Sequence, residues 1–202
     1  MKNSALLIIL FSLTLAGRVT SSSIIKTPEL LTSNLKLTMQ NTNYTTSFWV
    51  NKSPKEVFEA INNVSGWWSE DVEGNTTALN GEFLYYYKDV HISKMRIIKF
   101  VPDKKIVWLV LENEFNFIKD KTEWKGDKII FELTEKDGGT ELKFTQEGLT
   151  PENECYNVCQ DAWTGYIHGS LKDLIVTGKG KPNGKEGGLN QELIDKWNLP
   201  KK

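Results

Sequence analysis

From Tyr44 the chain alternates, with Tyr44, Thr46, Phe48 and Val50 on one side and Thr45, Ser47, Trp49 and Asn51 on the other. A period of two predicts a strand with one buried face. The pattern then breaks at Ser53-Pro54-Lys55-Glu56. Ser as N-cap, Pro at the first helical position and Glu three residues after the cap predict a helix opened by a capping box. Val57, Phe58 and Ile61 form its apolar stripe. Val64 to Ser69, carrying Trp67-Trp68 after a glycine, reads as a short helical or looped insert.

Alternation returns after the turn dipeptide Asn80-Gly81, where Phe83, Tyr85 and Tyr87 interleave with Glu82, Leu84 and Tyr86. Lys88-Asp89 turns into a strand over His91 to Phe100, and Val101-Pro102-Asp103 turns into the next. Ile106 to Leu111 is apolar at every position, which predicts burial on both faces. Lys121 to Lys125 predicts a short strand ending at Gly126. Ile129, Phe131 and Leu133, the turn Asp137-Gly138-Gly139, and then Leu142 and Phe144 complete an antiparallel meander.

The last change of period follows Thr150-Pro151. Glu152 to Thr177 predicts one long helix, stopped by Gly178. Cys155, Cys159, Trp163, Tyr166, Ser170 and Leu174 recur at steps of three or four and share a face, which Ile167, Leu171 and Ile175 widen. Strand, helix pair, several strands and long helix make an α+β arrangement. Its simplest packing curves the antiparallel sheet around the long C-terminal helix. A hollow remains wherever side chains do not fill the grip.

The flanks are different in kind. Residues 1–23 hold an apolar run from Ala5 to Ala16 behind Lys2, too short to span a bilayer but suited to a signal peptide. Residues 24–40 read as a polar linker. A start of translation at Met39 is the other reading of this leader. The patterned domain runs over 41–182. Residues 183–202 form a flexible tail that begins Gly- and Lys-rich and ends in a short amphipathic helix carrying Leu189, Leu193 and Trp197. Such a helix is marginal alone and is expected to dock on the parent domain.

Composition narrows the function classes. A chain of 202 residues with 39% hydrophobic residues can build one full core. The first 38 residues carry Lys2, Arg18, Lys26 and Lys36 against Glu29, a net +3, so the rest carries −4 of the formal total of −1. A mildly acidic domain without a basic stripe argues against nucleic acid, and no segment suits stable membrane insertion. Seven tryptophans point to a large core or an aromatic-lined cavity. Cys155 and Cys159 lie one helical turn apart, a spacing that closes no useful loop. They read as small core side chains rather than a disulfide. Two cysteines with His91 and His168 make no metal-ligand spacing, so neither metal nor cofactor is implied. No nucleophile elbow, phosphate loop or dinucleotide fingerprint is present, which argues against an enzyme.

The order of elements resembles the helix-grip fold of the SRPBCC superfamily, which includes the START domains. Within it the chain looks most like bacterial proteins related to the C-terminal domain of the activator of the ninety-kilodalton heat-shock chaperone's ATPase. The residues that carry this begin with the span Phe48 to Ile61 and Gly66-Trp67-Trp68. They continue through Tyr87 to His91, Val101-Pro102, Val107-Trp108, Thr122 to Gly126, Thr140 to Leu142, and Glu147-Gly148-Leu149. Glu154 to Tyr156 and the stretch from Trp163 to Gly180 close the set. The resemblance covers about Asn41 to Pro182. Because it starts almost at Met39, it favours the later start and a cytoplasmic protein, whereas a genuine leader would make the chain exported.

What the resemblance implies is a cavity between sheet and long helix. The chain then binds a small hydrophobic or amphipathic ligand without chemistry, with a chaperone-activating or a cyclase-type role as alternatives. Candidate lining residues are Trp163, Tyr166, Ile167 and Ser170 on the helix. Tyr85, Tyr87, His91 and Trp108 face them from the sheet, with Trp67 and Trp68 closing one mouth. His91, two residues from Asp89, is a candidate pH-sensitive anchor. Which parity of each strand points inward is left open, because one residue of slip inverts the choice. If Trp163 lines a pocket, alanine there should weaken ligand uptake more than folding.

Overall fold

The computed structural model describes residues 42–184 and 189–200, so the candidate signal peptide and linker lie outside the described residues. Seven antiparallel strands form one sheet in the order β1-β7-β6-β5-β4-β3-β2. They are β1 (Tyr44–Val50), β2 (Val72–Gly74), β3 (Glu82–Tyr87), β4 (His91–Val101), β5 (Lys105–Phe115), β6 (Lys128–Lys136) and β7 (Gly139–Glu147). Every neighbouring pair except β1–β7 is consecutive in sequence, the meander that short turns demand. Asp137 and Gly138, both at positive φ, make the two-residue link between β6 and β7. Register shifts between Lys94 and Met95 and between Ile97 and Lys99 bend β4. Such bulges curl a sheet onto whatever it covers.

What it covers is the long helix. This begins as α2 (Tyr156–Thr164), widens into a π-helical stretch (Gly165–Leu171), and resumes as α3 (Lys172–Thr177). Gly178 ends it in the left-handed conformation at φ 80°. The first turn expected from Glu152 is a set of turns instead: Thr150 N donates to Asn153 Oδ1, and the Glu123 carboxylate accepts from the backbone N–H groups of Glu154 and Cys155. Helix α1 (Pro54–Asn62) shows the predicted capping box between Ser53 and Glu56, and packs near β6 and β7.

The sequence reading and the structure part at three places in this frame. Lys121 to Lys125 is not a strand, because the Asp120 carboxylate captures the Thr122 N–H and hydroxyl and starts a run of turns. Strand β5 is not buried on both faces throughout: Ile106, Trp108 and Val110 point inward, and Val107 is covered on the outside, but Leu109 and Leu111 are half-buried. The tail is docked from its first residue. Asn183 is buried beside Ser69, and α4 (Leu189–Trp197) lies against α2. The face that α4 turns inward carries Leu193 and Ile194, while Trp197 is partly exposed. The side chain of Leu189 lies outside what is described.

Candidate functional site

Strand parity is settled by burial. Phe83, Tyr85 and Tyr87 on β3, Met95 and Ile97 on β4, Trp108 on β5, Phe131 on β6 and Phe144 on β7 all point at the helix. Between them and the helix lies a cavity of about 40 Å³. That volume holds water-sized guests, whereas ligand pockets run to roughly 300–1,000 Å³.

Six of the ten predicted residues meet in its wall: Trp68, Tyr85, Tyr87, His91, Trp163 and Tyr166. The other four do not. Trp108 lies one layer deeper, behind Trp68, with ring centroids 6.1 Å apart and planes at 10°. Trp67 also packs into the core, and its indole N–H donates to the carbonyl of Ile61. Ile167 is core. Ser170 faces the chain beyond the helix, where its hydroxyl accepts from Lys181 N at 2.6 Å. Trp68 is thus an inner wall and Trp67 core, and neither closes the mouth. That place is taken by Asn190, Leu193 and Ile194 of α4 with Leu199 after it. The amphipathic spacing of the tail was the signal for this, though not for where it docks. Trp124 was missed as a wall residue because its segment reads as a strand end, while in the structure the turns after Asp120 fold it onto Trp163.

The walls are aromatic and carry no formally charged side chain. Trp68 stacks on Tyr85 at 4.1 Å, and Trp124 stacks on Trp163 at 5.9 Å. Polar groups are few and mostly satisfied. Asn183 donates to the Tyr166 hydroxyl at 2.6 Å, and Asn190 donates to the Tyr85 hydroxyl at 2.9 Å. Burial holds both phenols well above their ordinary range, so they stay neutral. His91 is neutral too, its pKa pushed down to about 3 by burial among Tyr85, Phe115 and Trp124. Ser93 Oγ accepts from Asn113, so its own proton is available to His91 Nε2 at 2.7 Å. The exception is the Tyr87 hydroxyl, which is buried without a hydrogen-bond partner. A phenol left in that state costs about 1–3 kcal/mol.

Behind the wall runs a polar chain. The Trp163 indole N–H donates to Gln146 Oε1 at 2.6 Å, and Gln146 Nε2 donates to Asp127 Oδ2 at 2.7 Å. Burial pushes the Asp127 carboxyl up to about 6, against the lowering effect of the Gln146 bond. Gly148 is required beside it. Its φ is +119°, and a Cβ there would sit 1.9 Å from Asp127 Oδ1.

The cysteines correct the sequence reading, since Cys155 and Cys159 are joined by a disulfide with Cα atoms 5.6 Å apart. One helical turn brings the two side chains onto one face at bonding distance, and the smallness of the closed loop does not prevent the bond. The Trp124 indole donates to Cys155 Sγ at 3.2 Å, and Cys159 lines the cavity. Closing so short a loop removes little chain entropy. Reduction should therefore cost about 2 kcal/mol, a fall in Tm of roughly 4–8 °C, read by calorimetry with and without dithiothreitol.

A curved antiparallel sheet gripping a π-widened helix, with an aromatic cavity between them, defines a helix-grip protein. Residues 51–175 match the family described as Activator of Hsp90 ATPase homolog 1-like protein, and the chain belongs to that family. Among solved structures it is similar to the Aha1 dimer of Colwellia psychrerythraea, at 21% identity and a TM-score of 0.56, over 69% of this chain and 99% of that one. It is also similar to a protein of Mesorhizobium loti (14%, TM-score 0.54, 67% and 96%) and to one of Staphylococcus saprophyticus (15%, TM-score 0.53, 71% and 99%). No curated protein matches. No helix among the described residues is long and apolar enough to cross a membrane.

Proposed function

We propose that this chain binds a small, uncharged, largely aromatic molecule in the cavity between sheet and long helix, and does no chemistry on it. The observation that carries this reading is the aromatic, incompletely filled cavity whose lining holds no formally charged side chain, with the unpartnered Tyr87 hydroxyl among its wall residues. A neutral ligand with a hydrogen-bond acceptor would satisfy that hydroxyl, and rings would pack on Trp68, Trp124 and Trp163. An ionic ligand would lose its water for walls that offer it no counter-charge. His91, with its pKa held near 3, is too weak a base for proton transfer at neutral pH.

Native mass spectrometry of the purified chain, followed by denaturing extraction, tests the reading. A discrete neutral compound bound one to one is the expected result. An empty spectrum together with no saturable uptake of neutral aromatic probes would sink it. Weight would then move to the chaperone-activating role from which the family takes its name, read as a faster chaperone ATPase without any small molecule. The Cys155–Cys159 disulfide supports an oxidising compartment, and with it the exported reading of residues 1–23 over the cytoplasmic one. The mass of the chain recovered from its native host checks this.

A further inference from the structure

We propose that α4 is a displaceable occupant of the cavity mouth, a helix that must leave for the ligand to enter. The inference rests on the ligand-site reading above. Four observations converge on it. The cavity as it stands is an order of magnitude too small for an organic ligand, so some wall has to move. Sheet and long helix are bound to each other through the core, whereas α4 contributes to the wall with only Leu193, Ile194 and the neighbouring Asn190, followed by Leu199. The family match ends at residue 175, so α4 is an addition to a domain defined without it. Its other attachments are polar: at the C-terminal end Lys196 Nζ and Trp197 Nε1 reach the surface carboxylate Asp161 Oδ2, at 2.5 and 3.0 Å, and at the first turn Asn190 holds the Tyr85 hydroxyl at 2.9 Å and Asn183 Oδ1 at 3.0 Å.

A nine-residue helix is marginal by itself, and its place here depends on the apolar face it buries. That face is the surface a ligand would use. Burying Leu193 and Ile194 in the same cavity wall as Trp163 and Tyr87 gives the empty protein a covered site, and a ligand competes for the same area. Competition of this kind lowers apparent affinity by the fraction of molecules that are open. Loosening α4 should therefore tighten binding, the reverse of what damage to a binding wall does.

The test uses the full chain and Nile red, a neutral fluorescent probe, with hydrogen exchange read in parallel. Asp161→Ala removes the surface anchor without touching the cavity, and Ile194→Asn loosens the inward face. Both should speed exchange over 189–197 while β5 stays protected. Nile red should bind about 2–5-fold more tightly to Asp161→Ala and 10-fold or more to Ile194→Asn. Unchanged or weaker binding, with α4 open by exchange and β5 protected, overturns the gating role and leaves the ligand site standing. No binding by any variant, open or closed, overturns the ligand site and the gate together. Exchange over 189–197 as slow as in β5 in the wild type and in Asp161→Ala makes α4 fixed core and overturns the proposal. Asp161 lies on the outer side of α2, so this arm reads out even if Ile194→Asn does not fold.

Discussion

Alanine at Trp163 is expected to cost about 4–8 kcal/mol of folding stability, a large share of the roughly 5–15 kcal/mol that holds a domain folded. Two losses add. The indole leaves a void among Trp68, Trp124, Phe144 and Tyr166, whose ring centroids lie 4.7–6.2 Å away. Truncating a buried Trp to Ala alone costs about 3–5 kcal/mol. Gln146 Oε1 then loses its donor inside the core, a further 1–3 kcal/mol. Phenylalanine keeps most of the ring and removes only the donor, so Trp163→Phe should cost about 1–3 kcal/mol. Urea unfolding of the two variants separates the contributions. Equal losses for both would mean that the hydrogen bond, and not the ring, dominates. Because Trp163 holds the core as well as lining the cavity, alanine there cannot isolate ligand uptake, contrary to what the sequence alone suggests. The phenylalanine variant can.

The second large effect is a partial cancellation that one substitution should expose. His91 has a folded pKa of about 3 against an ordinary 6.5, so below pH 6.5 the unfolded chain takes up a proton that the folded chain refuses. The stability it contributes is present above pH 6.5 and falls by about 1.4 kcal/mol per pH unit on acidification. Asp127 works the other way. Its folded pKa of about 6 exceeds the ordinary 3.8, so the folded chain takes up the proton first, and stability rises as pH drops from about 6 toward 4. Solvent reaching the Asp127 carboxylate limits the total relief to about 1–2 kcal/mol. Between pH 6 and 4 His91 loses about 2.7 kcal/mol and Asp127 returns about 1–2, so the two offset in part and together leave the wild type a loss of about 1–2 kcal/mol. Asp127→Asn keeps the shape beside Gly148 and can still accept from Gln146. It should gain about 1–2 kcal/mol at pH 7 and then lose stability steeply below pH 6. Urea midpoints at pH 7, 6, 5 and 4 decide the matter. A constant offset between variant and wild type across that range would show that Asp127 does not titrate as its burial requires.

The parts of this architecture that were legible in the sequence are those set by local periodicity. Phe83-x-Tyr85-x-Tyr87 and the stripe through Trp163 and Tyr166 have the same faces in the structure as in the pattern, because each face is dictated by its neighbours two or four residues away. The parts that were not legible depend on contacts far apart in sequence. Trp67 and Trp68 are adjacent, yet one is core and the other wall, since only Trp68 meets Tyr85 across the fold. Trp108 has the correct parity but lies behind Trp68. Ser170 sits on the helical stripe, yet the chain returning past Gly180 claims its hydroxyl. Asp127, which has no part in the sequence reading, gains its raised pKa only through burial in the fold, where Gln146 of β7 and Gly148 in the turn after it lie beside its carboxylate.

The π-helical stretch has a consequence for insertions and deletions. A π turn spans one residue more than an α turn, so residues 165–171 carry a supernumerary position that neither α2 nor α3 needs for its own packing. Removing one residue here, for instance Gly169, where the space a Cβ would fill is open, lets the stretch contract to ordinary α-helix. Trp163 on one side and Ile175 on the other would then keep their angular phase toward the sheet. The same deletion within α2 or α3 would swing everything beyond it by about 100° and turn the apolar face to water. Length changes in this helix are therefore tolerated at one place, beside the cavity, where Tyr166 would move and the rest of the grip would not.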